Sequence, residues 1–262
     1  MAELQTDDVT LHVEVDGIGD PVTVVAHGLT NSCTELAAFT PMVPGTKVRF
    51  CFRGHGHSGV APLGAYRFAD LARDLLAVAD AYGASRAVGT SMGAGAITHV
   101  LGDNPDRFER IVLLLPAALD TRLVEHDGFD RTARILETLE KDQAIEAILS
   151  DPDRARLYAA APWLRELDVV LWQDMNPVGV ARAIREVVRD VAISDRELLR
   201  KVAAPALLIC REGDRIHPAE LGRVLAGLLP NSELIVLGSD RDFMASIPSL
   251  VERVSVFLAS GP

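Results

Sequence analysis

Short uninterrupted apolar runs punctuate this chain, and stretches with helical spacing separate them. Residues 22–26 (VTVVA), 48–52, 87–89, 111–115, 206–210 and 234–237 are apolar at most positions, as strands covered on both faces are. Residues 9–15 alternate apolar and polar instead, the pattern of a half-exposed strand. Between the runs, Leu71, Leu75, Val78 and Tyr82 recur three and four apart within 68–82, and Gly83 supplies a stop. Residues 92–101 and 219–229 also suit helices, and 248–258 forms a last one with Pro248 in its first turn. This alternation predicts an α/β fold, a mostly parallel sheet wrapped by helices on both faces. Function in such sheets sits at the carboxyl ends of the strands.

One stretch breaks the rhythm. From Ala117 to Lys201 only helical patterns occur, at 129–149 and 178–191, with Trp163 and Trp172 between them. About 85 residues far exceed the dozen or so that a crossover between parallel strands needs. The expected organisation is a core made of residues 1–116 and 202–262, with 117–201 inserted as a helical cap over the strand ends.

Charge and cysteine content narrow the function. Asp and Glu number 37 against 26 Lys and Arg, a net charge of −11 with no basic run, which disfavours nucleic acid and anionic membranes as partners. No apolar stretch approaches the ~18 residues of a membrane span, and the acidic, alternating first 15 residues are unlike a secretory leader. Cys33, Cys51 and Cys210 form no CxxC and no His/Cys pair with zinc spacing. A reduced, cytoplasmic protein with no metal and no cofactor is expected, its partner a small-molecule substrate or ligand. The sequence leaves a homodimer open.

The strongest chemical signal is Gly89-Thr90-Ser91-Met92-Gly93, between an apolar strand and a helix-compatible run. A bare GxSxG is common, but strand–turn–helix is the context in which it raises a serine on a tight turn. The small flanking residues let neighbouring backbone approach, and the start of the helix directs N–H groups toward negative charge. His27-Gly28 directly follows the strand 22–26. That position suits a loop donating one oxyanion N–H, from Leu29, while Met92 donates the other; His27 itself is expected to brace the loop.

With these residues in place the chain resembles the α/β-hydrolase family over nearly its whole length. His27-Gly28 matches the family's oxyanion turn, Arg53-Gly54-His55-Gly56-His57-Ser58-Gly59 its RGHGxS loop, Gly89–Gly93 its nucleophile elbow, and Gly213-Asp214 its triad acid. The resemblance implies Ser91 as nucleophile, Asp214 as acid and Leu29 and Met92 as the oxyanion hole. Asp120, after the strand 111–115, is the alternative acid.

Two departures stand out. Cys51 occupies the place of an Asp two residues before the loop arginine, and a local repacking is expected there. The family's histidine follows the last strand, some seven residues before a helix-opening proline; counting back from Pro248 gives Arg241, and no histidine follows His217. Arginine keeps its proton and cannot act as the base. Of the remaining histidines, His217 is the candidate surrogate base, His126 could overhang from the cap, and His12, His55, His57 and His99 are expected to be structural. The expected function is a serine hydrolase for a small ester, lactone or thioester, with an atypical or impaired triad. The alternatives are a ligand-binding pseudoenzyme and a lyase using the same pocket. On this reading Arg241→His should raise esterase activity at least about tenfold.

Overall fold

The computed structural model describes residues 2–37, 42–122, 127–160, 162–238 and 240–260, with seven side chains among these left out, Arg241's included. Among the described residues eight strands form one sheet, in the order β1-β2-β4-β3-β5-β6-β7-β8. They are β1 (Ala2–Gln5), β2 (Thr10–Asp16), β3 (Val22–Ala26), β4 (Thr46–Phe50), β5 (Arg86–Thr90), β6 (Arg110–Leu114), β7 (Ala206–Arg211) and β8 (Ser232–Leu237). β1 and β2 pair antiparallel, as do β2 and β4, and every pairing from β4 to β8 is parallel.

The continuous apolar runs follow from burial on both faces. In β7, Ala206 and Leu208 join the larger core while Leu207 and Ile209 join the smaller one on the other side. Helices α1 (Phe68–Tyr82), α2 (Met92–Asp103) and α8 (Ala219–Leu228) cover the first face, and α9 (Asp240–Ala259) covers the second through Leu250, Val254, Phe257 and Leu258. Gly83 ends α1 at φ 66°, the left-handed position the sequence suggested.

Between β6 and β7 lie α3 (Asp127–Thr138), α4 (Lys141–Leu149), α5 (Pro152–Ala160), α6 (Trp163–Gln173) and α7 (Pro177–Val187), then a 3-10 turn at Arg196–Lys201. These helices share a core of their own, containing Leu136, Ile148, Trp172, Met175 and Ile184. No helix among the described residues is long and apolar enough to cross a membrane.

One strand is new to the sequence reading and one expectation is corrected. β1 gave no signal, because its four residues are mostly exposed at the sheet edge and carry no burial pattern. The last helix begins at Asp240, not Pro248, and Pro248 lies inside it. A proline signals that its own N–H is missing, which a helix interior tolerates at a cost; it therefore marks the helix start poorly here. Arg241 consequently falls in the first turn of α9, and its side chain lies outside the described residues.

Candidate active site

Ser91 stands between the end of β5 and the first residue of α2 with φ 49° and ψ −107°, a strained conformation for a residue with a side chain. Glycine relieves the crowding around it. A Cβ on Gly89 would lie 2.6 Å from the Gly93 backbone, and one on Gly93 would lie 2.3 Å from the Ala26 carbonyl oxygen. Two missing side chains thus allow β5, α2 and the end of β3 to meet beneath the serine.

The loop after β7 supplies the partners. His217 Nε2 is 2.9 Å from Ser91 Oγ, and His217 Nδ1 is 2.9 Å from Asp214 Oδ2. The other oxygen of Asp214 accepts the backbone N–H groups of Ile216 (2.9 Å) and His217 (3.0 Å), so the carboxylate folds the turn that presents the ring. Arg211 also holds Oδ2, at 2.7 Å. Burial alone would push the Asp214 carboxyl up, but His217 and Arg211 hold it well below the usual range. An ionised Asp214 fixes the proton on Nδ1 and leaves the Nε2 lone pair facing the serine hydroxyl. Pro218 bridges back to Arg211 and caps α8, bracing the turn from its far side.

The turn after β3 meets the same point. A Cβ on Gly28 would be 3.5 Å from Ser91 Cβ, and Leu29 and Met92 line a cavity with Ser91. Met92 is the first residue of α2, whose N–H has no partner within the helix. The cavity measures about 30 Å³, with Phe68, Phe129, Val187 and Ile216 among its apolar walls.

The remaining candidates lie elsewhere. His27 is buried; its Nε2 accepts the Phe52 N–H at 3.0 Å, so Nδ1 donates to the Gly28 carbonyl at 2.7 Å. Burial, with His55 alongside, holds His27 well below the usual range. Both ring nitrogens are engaged in shaping the turn. His55 is equally buried and is pushed down to about 4. His99 Nδ1 lies 2.8 Å from the Ala192 carbonyl, and His126 lies outside the described residues. Asp120 pairs with Arg196 at 2.5 Å, whereas it is the Asp214 carboxylate that meets the His217 ring. Arg53 is fully buried, tied to Asp74 at 2.7 Å and Asp8 at 2.9 Å. Around Cys51 the loop closes on sulfur: Sγ accepts the Cys33 N–H at 3.3 Å, and a Cβ on Gly56 would approach it to 2.4 Å.

Sequence reading missed Glu35. One of its oxygens accepts the Gly28 N–H at 2.6 Å and the other the Asn31 amide at 2.6 Å, and burial pushes its carboxyl up to about 7. It stands seven positions after Gly28 in a loop, and no local pattern marks a glutamate that turns inward.

A family model described as alpha/beta hydrolase fold matches residues 50–244. Among solved structures, a hydrolase from Pseudomonas aeruginosa PA01 aligns over 99% of this chain and 98% of its own, at 25% identity and TM-score 0.78. An enol-lactonase from Burkholderia xenovorans LB400 aligns over 99% and 100%, at 22% and 0.77. A thermophilic esterase from Thermogutta terrifontis aligns over the same shares, at 18% and 0.77.

Proposed function

Since this chain belongs to the alpha/beta hydrolase fold family, we propose that it is a serine hydrolase of small esters, lactones or thioesters that draws its base from the β7 loop. The unbroken hydrogen-bonded chain Ser91–His217–Asp214 carries this reading. A free serine hydroxyl is a poor nucleophile without such a base. Ser91 Oγ attacks the substrate carbonyl carbon as Nε2 takes its proton, and Asp214 stabilises the imidazolium. The Leu29 and Met92 N–H groups receive the developing oxyanion. The imidazolium then protonates the leaving group, and a water activated by the same nitrogen releases the acyl group from Ser91. The α3–α7 segment acts as the cap and supplies apolar contacts for the acyl part through Phe129 and Val187. The pseudoenzyme reading rested on the lack of a base, and the His217–Ser91 contact weighs against it. The esterase and lactonase neighbours agree with ester-type substrates.

Labelling by a fluorophosphonate and hydrolysis of a panel of nitrophenyl esters and small lactones test the proposal. The parent should label and turn over, Ser91→Ala should do neither, and His217→Ala should lose roughly 10³-fold or more in kcat. Because His217 already fills the base position at Ser91, Arg241→His should now bring no gain. Failure of the parent to label or hydrolyse any of the panel, or an undiminished rate in His217→Ala, overturns the reading.

A further inference from the structure

A second cluster of reactive side chains lies at the other edge of the sheet. β2 alternates, so that Leu11 and Val13 face the larger core while His12 and Glu14 share the opposite face. The loop after β3 crosses that face and brings Cys33 down onto it. His12 Nε2, a Glu14 carboxylate oxygen and Cys33 Sγ all lie within 4.8 Å of one another. Cys51, just after β4, accepts the Cys33 N–H at 3.3 Å; its sulfur lies outside that 4.8 Å grouping and has to turn inward to become the fourth donor. His12, Cys33 and Cys51 are buried, whereas the Glu14 side chain keeps about a quarter of its surface exposed and leaves a way in.

From this convergence we propose that His12, Glu14, Cys33 and Cys51 bind one Zn²⁺ ion as a structural site, with the two thiols giving up their protons to the solvent as the metal enters. The donor set is that of zinc: imidazole, carboxylate and thiolates at bonds of about 2.0–2.3 Å. Four such bonds in a tetrahedron separate the donors by roughly 3.3–3.8 Å, and His12 Nε2 already lies 3.3 Å from Glu14 Oε1. The second oxygen of Glu14 is turned away to Arg49, at 2.8 Å, so the carboxylate has one oxygen for the metal and one for an outer partner, as ligating carboxylates do. Arg49 also donates to the Cys33 carbonyl at 3.0 Å. Two thiolates and a carboxylate around a divalent ion leave a single negative charge, which faces the Arg49 guanidinium that Glu14 shares with Asp16. Bound metal would pin β2 and the end of β4 to the loop whose start is the Gly28 turn. The site is independent of the Ser91 reading.

The test uses the full chain, reduced with a phosphine, and Co²⁺ and Zn²⁺ as the probes. One equivalent of Co²⁺ should give a thiolate-to-metal charge-transfer band and tetrahedral d–d bands, and Zn²⁺ should displace it stoichiometrically. Zinc-edge X-ray absorption on the parent should show sulfur at about 2.3 Å together with nitrogen or oxygen at about 2.0–2.1 Å. Zn²⁺ should raise the melting temperature. Cys33→Ser and Cys51→Ser should each weaken Zn²⁺ binding by at least about a hundredfold, more than the 10–100-fold typical of outer-shell losses, while Ser91→Ala should leave the cobalt spectrum unchanged. A shell of nitrogen and oxygen alone, the absence of a one-to-one complex, or unchanged affinity in either serine variant overturns the proposal. The absorption measurement needs no variant, so misfolding of a substituted chain does not blunt the test.

Discussion

Glu35 is a carboxyl group held between the Gly28 N–H and the Asn31 amide, and its elevated titration near 7 makes it a stability switch. The unfolded chain releases this proton near 4.5, but the folded chain keeps it until about 7. Between those values the unfolded state binds fewer protons, so Glu35 lowers stability as pH rises, with the full loss reached above 7. The gap corresponds to about 3 kcal/mol. His55, pushed down to about 4 by burial, acts in the opposite sense and removes stability as pH falls from 6.5 toward 4; His27 does likewise. The comparison of parent and variant isolates the glutamate. Glu35→Gln should gain on the parent by up to about 3 kcal/mol between pH 4.5 and 8 in urea unfolding. A gap between the two that stays constant with pH would refute the assignment.

At the scale of the element, the strand–turn–helix around Ser91 depends on backbone packed against backbone. Gly93 of α2 abuts the Ala26 and His27 carbonyls, and neither can yield as a flexible side chain would. Gly93→Ala should therefore destabilise by about 1–3 kcal/mol or more, and a shift of the elbow should lower kcat beyond that loss of stability. Circular-dichroism melts and esterase rates at a temperature where the variant is fully folded separate the two effects. The loop between β7 and α8 is the other decisive element. In four residues it carries both Asp214 and His217, the carboxylate of Asp214 holding the backbone of the residue whose ring it also orients.

Across the whole molecule, Arg53 joins parts far apart in sequence. It binds Asp74 on α1 and Asp8 beside the β1–β2 hairpin, and both Arg53 and Asp74 are about 1% exposed. Removing one partner strands a buried charge, which costs about 3–5 kcal/mol, while replacing both with apolar groups costs far less. Arg53→Met and Asp74→Leu should each destabilise strongly, and the double variant should be more stable than Arg53→Met alone. Guanidinium unfolding of all four forms completes the cycle, and simple additivity would show that the ion pair is not the link.

What the chain determined by itself is whatever local burial and steric rules encode. Apolar runs covered on both faces marked β3 and the parallel strands, a 3.6-residue spacing and Gly83 bounded α1, and the glycines flanking Ser91 announced a crowded turn. Hydrophobic periodicity records which face of a segment is buried but not which distant segment covers it. The tertiary structure decided the rest. His217 and Ser91 are 126 residues apart, and they meet because β5, β6 and β7 are successive strands of one sheet. The inward turn of Glu35 and the approach of Cys33 to His12 and Glu14 depend likewise on where a loop crosses the sheet. Pro248, read locally as a helix start, sits within α9 because packing against the smaller core extends the helix ahead of it. Contacts of this kind are set by chain crossings, and no spacing along the sequence encodes them.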